Sequence, residues 1–210
     1  MSEKMIDESC RNFTAVLASK APVPGGGGVA ALVGAFGAAL GSMVGNLTLG
    51  RKKYAAVEAD IKIILEKAES LQRHLLELVD EDAKAFEPLS KAYSLPKDEP
   101  ERAKTLERVT LEACRAPLEM MKSCCQVIDL LEELLDKGSA LLVSDVGCGA
   151  LCCRSALEIA SLNIFINTKT LTDEQIATQL ENQADDMLKR YGPKAQKIAD
   201  AVVFRLRKER

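Results

Sequence analysis

The stretch from Ala21 to Tyr54, APVPGGGGVAALVGAFGAALGSMVGNLTLGRKKY, constrains the fold more than any other part of the chain. Four glycines, Gly25, Gly26, Gly27 and Gly28, follow Pro22 and Pro24, and a helix-length run without charge then leads to Arg51, Lys52 and Lys53. A helix is predicted from Val29. Gly37, Gly41 and Gly45 recur at intervals of four and leave a ridge bare of side chains, so another helix can approach closely. A membrane span with a positive flank is one reading, but Asn46 and Thr48 interrupt it, aromatic belts are missing and no other segment looks similar. A buried central helix, at a subunit interface or within the core, is expected instead. Glycines ahead of a helix also free backbone N–H groups to meet an anion, which makes the segment from Pro24 to Gly28 a candidate ligand loop.

The remaining chain reads as helix throughout. Ile6 to Ser19 places Phe13, Val16 and Leu17 on one face, before Pro22. From Ala55 to Phe86, the residues Val57, Ile61, Ile64, Ala68, Leu71, Leu75 and Leu78 recur in steps of four and three, one buried stripe on a long helix. Projected onward, the stripe reaches Asp82. A carboxylate on a buried face requires a partner or a task, unless the stripe has reached solvent by then. His74 lies beside the stripe and reads as a surface residue. Tyr93 to Glu101, with Pro96 and Pro100, is a connection, and Ala103 to Lys137 forms a helix kinked at Pro117 and closed by Gly138.

In SDVGCGALCCRSALEIASLNIFINTK, a helix would align Asp145, Cys152, Ala156, Asn163 and Asn167 on one face. Eighteen residues of helix separate Asp145 from Asn163 by about 27 Å, so the two cannot line one compact pocket of a single chain. They serve different ends of a long ligand, or one completes a neighbouring subunit's site, or one is structural. Thr172 with Gln175 reads as a capping box for a helix through Met187, and Tyr191-Gly192-Pro193 separates a last helix ending at Arg207. The expectation is an all-α bundle of about six to eight helices, several long, forming one domain over residues 1–210.

Composition removes whole classes of function. A net charge of −3, with 28 basic and 31 acidic residues interspersed, and only 4% aromatic residues argue against nucleic acid as a partner. Seven cysteines without CxxC, beside a single histidine, argue against a zinc site, and no metal is expected. The N-terminal residues lack the apolar core of a secretory signal, so a cytoplasmic location with reduced, packed thiols is expected. No GK[ST] follows the glycines, which excludes a Walker A loop. What remains for chemistry is the glycine amides, the cations at 51–53, two carboxylates in apolar surroundings, Asp82 and Asp145, and the amides of Asn163 and Asn167. That set suits acid–base work on a small anionic substrate without specifying the reaction.

Three strings, PVPGGGGVAALVGAFGAALGSMVGNLTLGRKKY, VDEDAKAF and SDVGCGALCCRSALEIASLNIFINTK, resemble the cyclodeaminase/cyclohydrolase family of folate enzymes in order and spacing. The resemblance runs from about Phe13 to Thr172. It departs at Gly28, where the family often carries serine. It implies a helical, cytoplasmic homodimer without a membrane partner, with sites near the subunit interface and a one-carbon tetrahydrofolate as substrate rather than a bound cofactor. Two reactions belong to the family: hydrolysis of 5,10-methenyl-tetrahydrofolate to 10-formyl-tetrahydrofolate, and cyclisation of 5-formimino-tetrahydrofolate with release of ammonia. A chain without a formiminotransferase domain inclines the reading to the first. Against that chemistry Asp82 is the expected acid/base and Asp145 an electrostatic or pterin-binding carboxylate, with the roles open to exchange. Lys52 is the lysine expected at the reacting centre. Lys53 and Arg51 suit the glutamate tail or simply end a helix as cations. Tyr54 and the segment 24–28 complete the substrate-binding set, and Asn163 and Asn167 meet the pterin edge or satisfy backbone groups. A non-catalytic helical assembly protein is the competing class.

Overall fold

The computed structural model describes residues 4–208. Seven α-helices occur among them: α1 (Cys10–Leu17), α2 (Gly26–Thr48), α3 (Glu58–Tyr93), α4 (Arg102–Ala113), α5 (Arg115–Lys137), α6 (Val143–Thr168) and α7 (Glu174–Lys208). Short 3-10 turns at Met5–Asp7, Lys52–Val57 and Ala140–Leu142 join them. No strand occurs among the described residues, as the sequence predicts.

The uncharged helix α2 is the centre of the bundle. Its glycines face three different neighbours, because a four-residue step advances 400° and the ridge drifts around the helix by about 40° each time. A Cβ on Gly37 would meet the Gly149 carbonyl of α6 at 3.0 Å, one on Gly41 would touch Leu131 of α5 at 3.4 Å, and one on Gly45 would press on Leu65 of α3 at 2.8 Å. The ridge thus admits three helices at close range rather than one. Gly34 against Leu75 and Gly45 against Leu65 run α3 antiparallel to α2; Gly26 against Asn163 and Gly37 against Cys153 do the same for α6. At the far end the Ser139 N–H donates to Thr48 Oγ1 (2.8 Å), pinning the α5–α6 junction to the end of α2.

Several sequence expectations need correction. The glycine tract is not a loop: Gly26, Gly27 and Gly28 form the first turn of α2, and only Gly25 lies outside as its N-cap. Close packing against α3 and α6 overrides the low helix propensity of glycine there. The helix α3 continues through Pro88 to Tyr93, because Leu89 and Ala92 pack with Val109 and Ala113 of α4 in a second small core. The kink expected at Pro117 is a break at Cys114 between α4 and α5. Helix α1 is shorter than predicted and begins at Cys10, capped by Ser9, whose side chain accepts from the Asn12 N–H; of its apolar face only Phe13 is buried. The start of α7 is capped by Asp173, which accepts from the N–H groups of Gln175 and Ile176, while Thr172 bonds Glu107. That helix also runs unbroken through Gly192 and Pro193. Contacts on both sides hold it: Tyr191 donates to Asp129, Lys194 pairs with Asp129 and Glu132, and Ala195 and Ile198 enter the core. Finally, a second segment resembles the first, since Gly26–Thr48 and the somewhat less apolar Ala140–Thr168 are each long and apolar enough to cross a membrane by length and composition.

Candidate active site

At one end of the bundle the N-terminus of α2 meets α3, α6 and the α4–α5 junction. A pocket of about 210 Å³ opens there, walled by Gly25, Gly26 and Gly27, with Asp82 from α3 and Asn163 and Asn167 from α6. Pro22, Val23, Phe86, Ala113, Pro117 and Ile166 supply its apolar surface.

Asp82 is positioned by the stripe that buries α3. Leu78 and Leu75, one and two turns earlier, are fully buried, and the next step carries the carboxylate against the first turn of α2. The first N–H groups of a helix lack intrahelical partners, and Gly25 offers no side-chain cap. The Gly28 N–H donates to Asp82 instead, so a carboxylate from another helix caps α2. The anion at the glycine tract is therefore the protein's own. Desolvation outweighs that hydrogen bond and lifts the Asp82 pKa from 3.8 to about 6. A carboxyl poised there exchanges protons readily near neutral pH.

The glycines are required by proximity. A side chain on Gly27 would overlap the Asp82 carboxylate, and one on Gly26 would press on the Asn163 amide nitrogen at 3.2 Å. Gly28 leaves room for Pro24, Val79 and Phe13, and Pro24 is itself buried behind the pocket. Each asparagine spends its nitrogen on the protein. Asn163 Nδ2 donates to the Ile159 carbonyl (2.9 Å) and Asn167 Nδ2 to the Ala113 carbonyl (3.4 Å). The second bond has a definite origin: in an unbroken helix residue 117 would donate to Ala113, and Pro117 has no N–H to give. Both side chains line the pocket, and Asn167 is also hydrogen-bonded to the Cys114 side chain.

The other expected site residues lie at the opposite end of α2 and α6. Asp145 sits half-buried in the first turn of α6. Lys52 and Lys53 are exposed in the turn after α2, with the Lys53 ammonium 5.6 Å from the Tyr54 ring centre. The Tyr54 hydroxyl accepts from the Ala140 N–H at 3.0 Å, a bond that lowers its pKa. Within one chain these four do not join Asp82. Sequence reasoning missed Phe86, Pro117 and Ile166, which only the meeting of three helices brings together. It also missed Asp80, a buried carboxylate that accepts from the Met5 N–H (2.7 Å) and ties the N-terminal turn to α3.

A family model described as formiminotransferase-cyclodeaminase matches residues 9–186. The methenyltetrahydrofolate cyclohydrolase of Methylorubrum extorquens is 40% identical over 200 residues, 93% of this chain and 96% of that protein. The formimidoyltransferase-cyclodeaminase of Mus musculus is 32% identical over 89% of this chain, which spans only 35% of the longer mouse protein. Among solved structures, the formiminotetrahydrofolate cyclodeaminase of Thermotoga maritima superposes with a TM-score of 0.83 at 28% identity, covering 94% of this chain and 98% of its own. With its family match extending over the helices that build the Asp82 pocket, the chain belongs to the formiminotransferase-cyclodeaminase family.

Proposed function

We propose that the protein hydrolyses 5,10-methenyl-tetrahydrofolate to 10-formyl-tetrahydrofolate, with Asp82 as the acid–base group. The observation that carries this reading is the placement of the Asp82 carboxylate in a pocket of glycine backbone, apolar side chains and the carboxamides of Asn163 and Asn167, where burial lifts its pKa to about 6. The 40% identity to a cyclohydrolase, against 32% to the mouse formimidoyltransferase-cyclodeaminase, favours hydrolysis over cyclodeamination.

The bridging carbon of the substrate is a cationic amidinium. Asp82, ionised, attracts that charge and removes a proton from the attacking water as its oxygen bonds to the carbon. The resulting tetrahedral carbon carries a hydroxyl and both ring nitrogens. The protonated Asp82 then donates to N5 as the N5–carbon bond breaks, and the hydroxyl releases its proton as the formyl C=O forms on N10. One water is consumed and one proton released. The oxygens of Asn163 and Asn167 accept from the N3–H and 2-amino group of the pterin. Gly25 to Gly28 with Pro24 hold Asp82 and shape the wall.

Asp145, Lys52, Lys53 and Tyr54 enter through a second copy of the chain. Phe36, Met43 and Leu47 on α2, with Leu151, Leu162 and Ile166 on α6, are exposed apolar side chains on adjacent helices. A homodimer covers them, and a two-fold pairing reverses the helices so that the Lys52–Asp145 end of one protomer approaches the Asp82 pocket of the other. Ile166 supports this placement, since it belongs to both the pocket and the exposed face. In this reading α2 and α6 are covered by protein rather than lipid, and the free thiols suit a cytoplasmic location.

The Thermotoga maritima likeness supports a second reading, cyclodeamination of 5-formimino-tetrahydrofolate. Purified protein incubated with each substrate separates the two. Loss of methenyl absorbance above the spontaneous rate establishes the cyclohydrolase; ammonia release from the formimino compound establishes the cyclodeaminase.

A further inference from the structure

The turn that carries the cations at 51–53 has little packing of its own. Residues 50–53 are all exposed. The chain leaves α2 after Thr48 and pivots at Gly50, whose φ of 72° lies in the left-handed region that favours glycine, and a Cβ there would meet nothing within 4 Å. Neither Arg51 nor Lys52 pairs with a carboxylate among the described residues, and neighbouring cations repel one another. Lys52 itself ends in a flexible four-carbon stem. A segment of this kind needs an anchor from elsewhere if its ammonium group is to hold one position.

Two hydroxyls supply the anchor, one from each side of the cations. Thr48 Oγ1 donates to the Val44 carbonyl (2.7 Å) and accepts from the Ser139 N–H (2.8 Å). The Tyr54 hydroxyl accepts from the very next amide, Ala140 N–H, at 3.0 Å. Consecutive amides of the α5–α6 junction are thus gripped by residues that bracket Gly50 to Lys53. The Tyr54 ring also gathers in Lys53, whose ammonium lies 5.6 Å from its centre. The gripped amides lead through the 3-10 turn Ala140–Leu142 into α6, and Asp145 lies in the first turn of that helix. Close contact between Gly37 and Gly149 seats α6 on α2, so the junction cannot drift from the end of α2. The Lys52 turn and Asp145 therefore belong to one rigid unit.

We propose that Tyr54 is a positioning residue: its hydroxyl, together with that of Thr48, holds Lys52 in register with Asp145, so that a protomer presents both to the Asp82 pocket of its partner. The inference rests on the dimeric folate reading above and goes beyond it by moving Tyr54 from substrate contact to support of Lys52.

A double-mutant cycle on methenyl-tetrahydrofolate hydrolysis tests it in the full-length protein. Lys52→Ala and Tyr54→Phe are made singly and together, with circular dichroism and sedimentation confirming fold and assembly. Tyr54→Phe is expected to lower kcat about tenfold with KM within about twofold, the pattern of a displaced reacting group. Lys52→Ala lowers kcat further, and the combined variant is no slower than Lys52→Ala alone. Gly50→Ala adds a methyl group in open space and strains only the pivot. It should show the same loss and the same lack of additivity with Lys52→Ala, and it carries the test if Tyr54→Phe does not fold. Full kcat in Tyr54→Phe, losses that multiply in the combined variant, or a raised KM at unchanged kcat each overturn the positioning role while leaving the folate activity intact. A Lys52→Ala variant at the wild-type rate removes Lys52 from the site and this inference with it. Wild-type protein without turnover on either folate substrate overturns the folate reading itself.

Discussion

The Asp82 carboxylate occupies the space that a side chain on Gly27 would fill, at the first turn of α2. Glycine at 27 and aspartate at 82 are thus one device: the bare backbone lets the carboxylate approach, and the carboxylate caps the helix through the Gly28 N–H. Gly27→Ala is expected to push the carboxyl out of position. The methyl group meets the mobile end of a side chain rather than backbone, so the variant folds, with turnover reduced about 100-fold or more. Circular dichroism alongside the hydrolysis assay checks this outcome; a fully active Gly27→Ala contradicts the pairing.

The raised pKa of Asp82 sets a pH dependence. A general base acts when ionised, so under the proposed role of Asp82 kcat/KM should rise with pH through about 6 and level off above it. A profile measured from pH 4.5 to 8.5 gives the result. If no ionisation near 6 governs activity, Asp82 is not the base.

The same shift has a cost in stability. The folded protein keeps a proton between pH 3.8 and about 6 that the unfolded chain releases, so the stabilising contribution is complete below pH 3.8 and is lost as pH rises through 6. Above that pH the buried charge opposes folding by up to about 3 kcal/mol. Asp82→Asn removes the charge and should raise stability at pH 8 by about 1–3 kcal/mol, with little change at pH 4. Urea denaturation at the two pH values measures the difference.

Asn163→Ala keeps the helix and removes the acceptor. A KM increase of about tenfold with a smaller effect on kcat is expected if the carboxamide oxygen binds the pterin edge in both ground and transition states. An unchanged KM would show that the residue serves only its bond to Ile159.

Much of this was legible from periodicity. The stripe from Ile61 to Leu78 pointed to Asp82, because a helix forces residues four and three apart onto one side whatever surrounds them. The uncharged, glycine-ridged segment was recognisable as the central helix for the same reason. What periodicity does not carry is where helices cross. Glycines 26–28 have weak helix propensity, and only the neighbouring α3 and α6 make their helical form favourable. Pro193 reads as a terminator until Tyr191 and Lys194 are seen bonded to Asp129. The Asn167–Ala113 bond links residues 54 apart and exists because Pro117 leaves a carbonyl unpaired. The separation of Asp145 from Asn163 followed from helical rise alone, and the structure does put Asp145 at the other end of the bundle from Asp82.

The most direct test of the account is the rate at which Asp82→Asn hydrolyses 5,10-methenyl-tetrahydrofolate, followed by loss of methenyl absorbance at pH 7.5 beside the wild-type protein. The account predicts a folded variant with turnover lowered by about 10²–10⁴-fold. A folded Asp82→Asn that hydrolyses the substrate at the wild-type rate would contradict it.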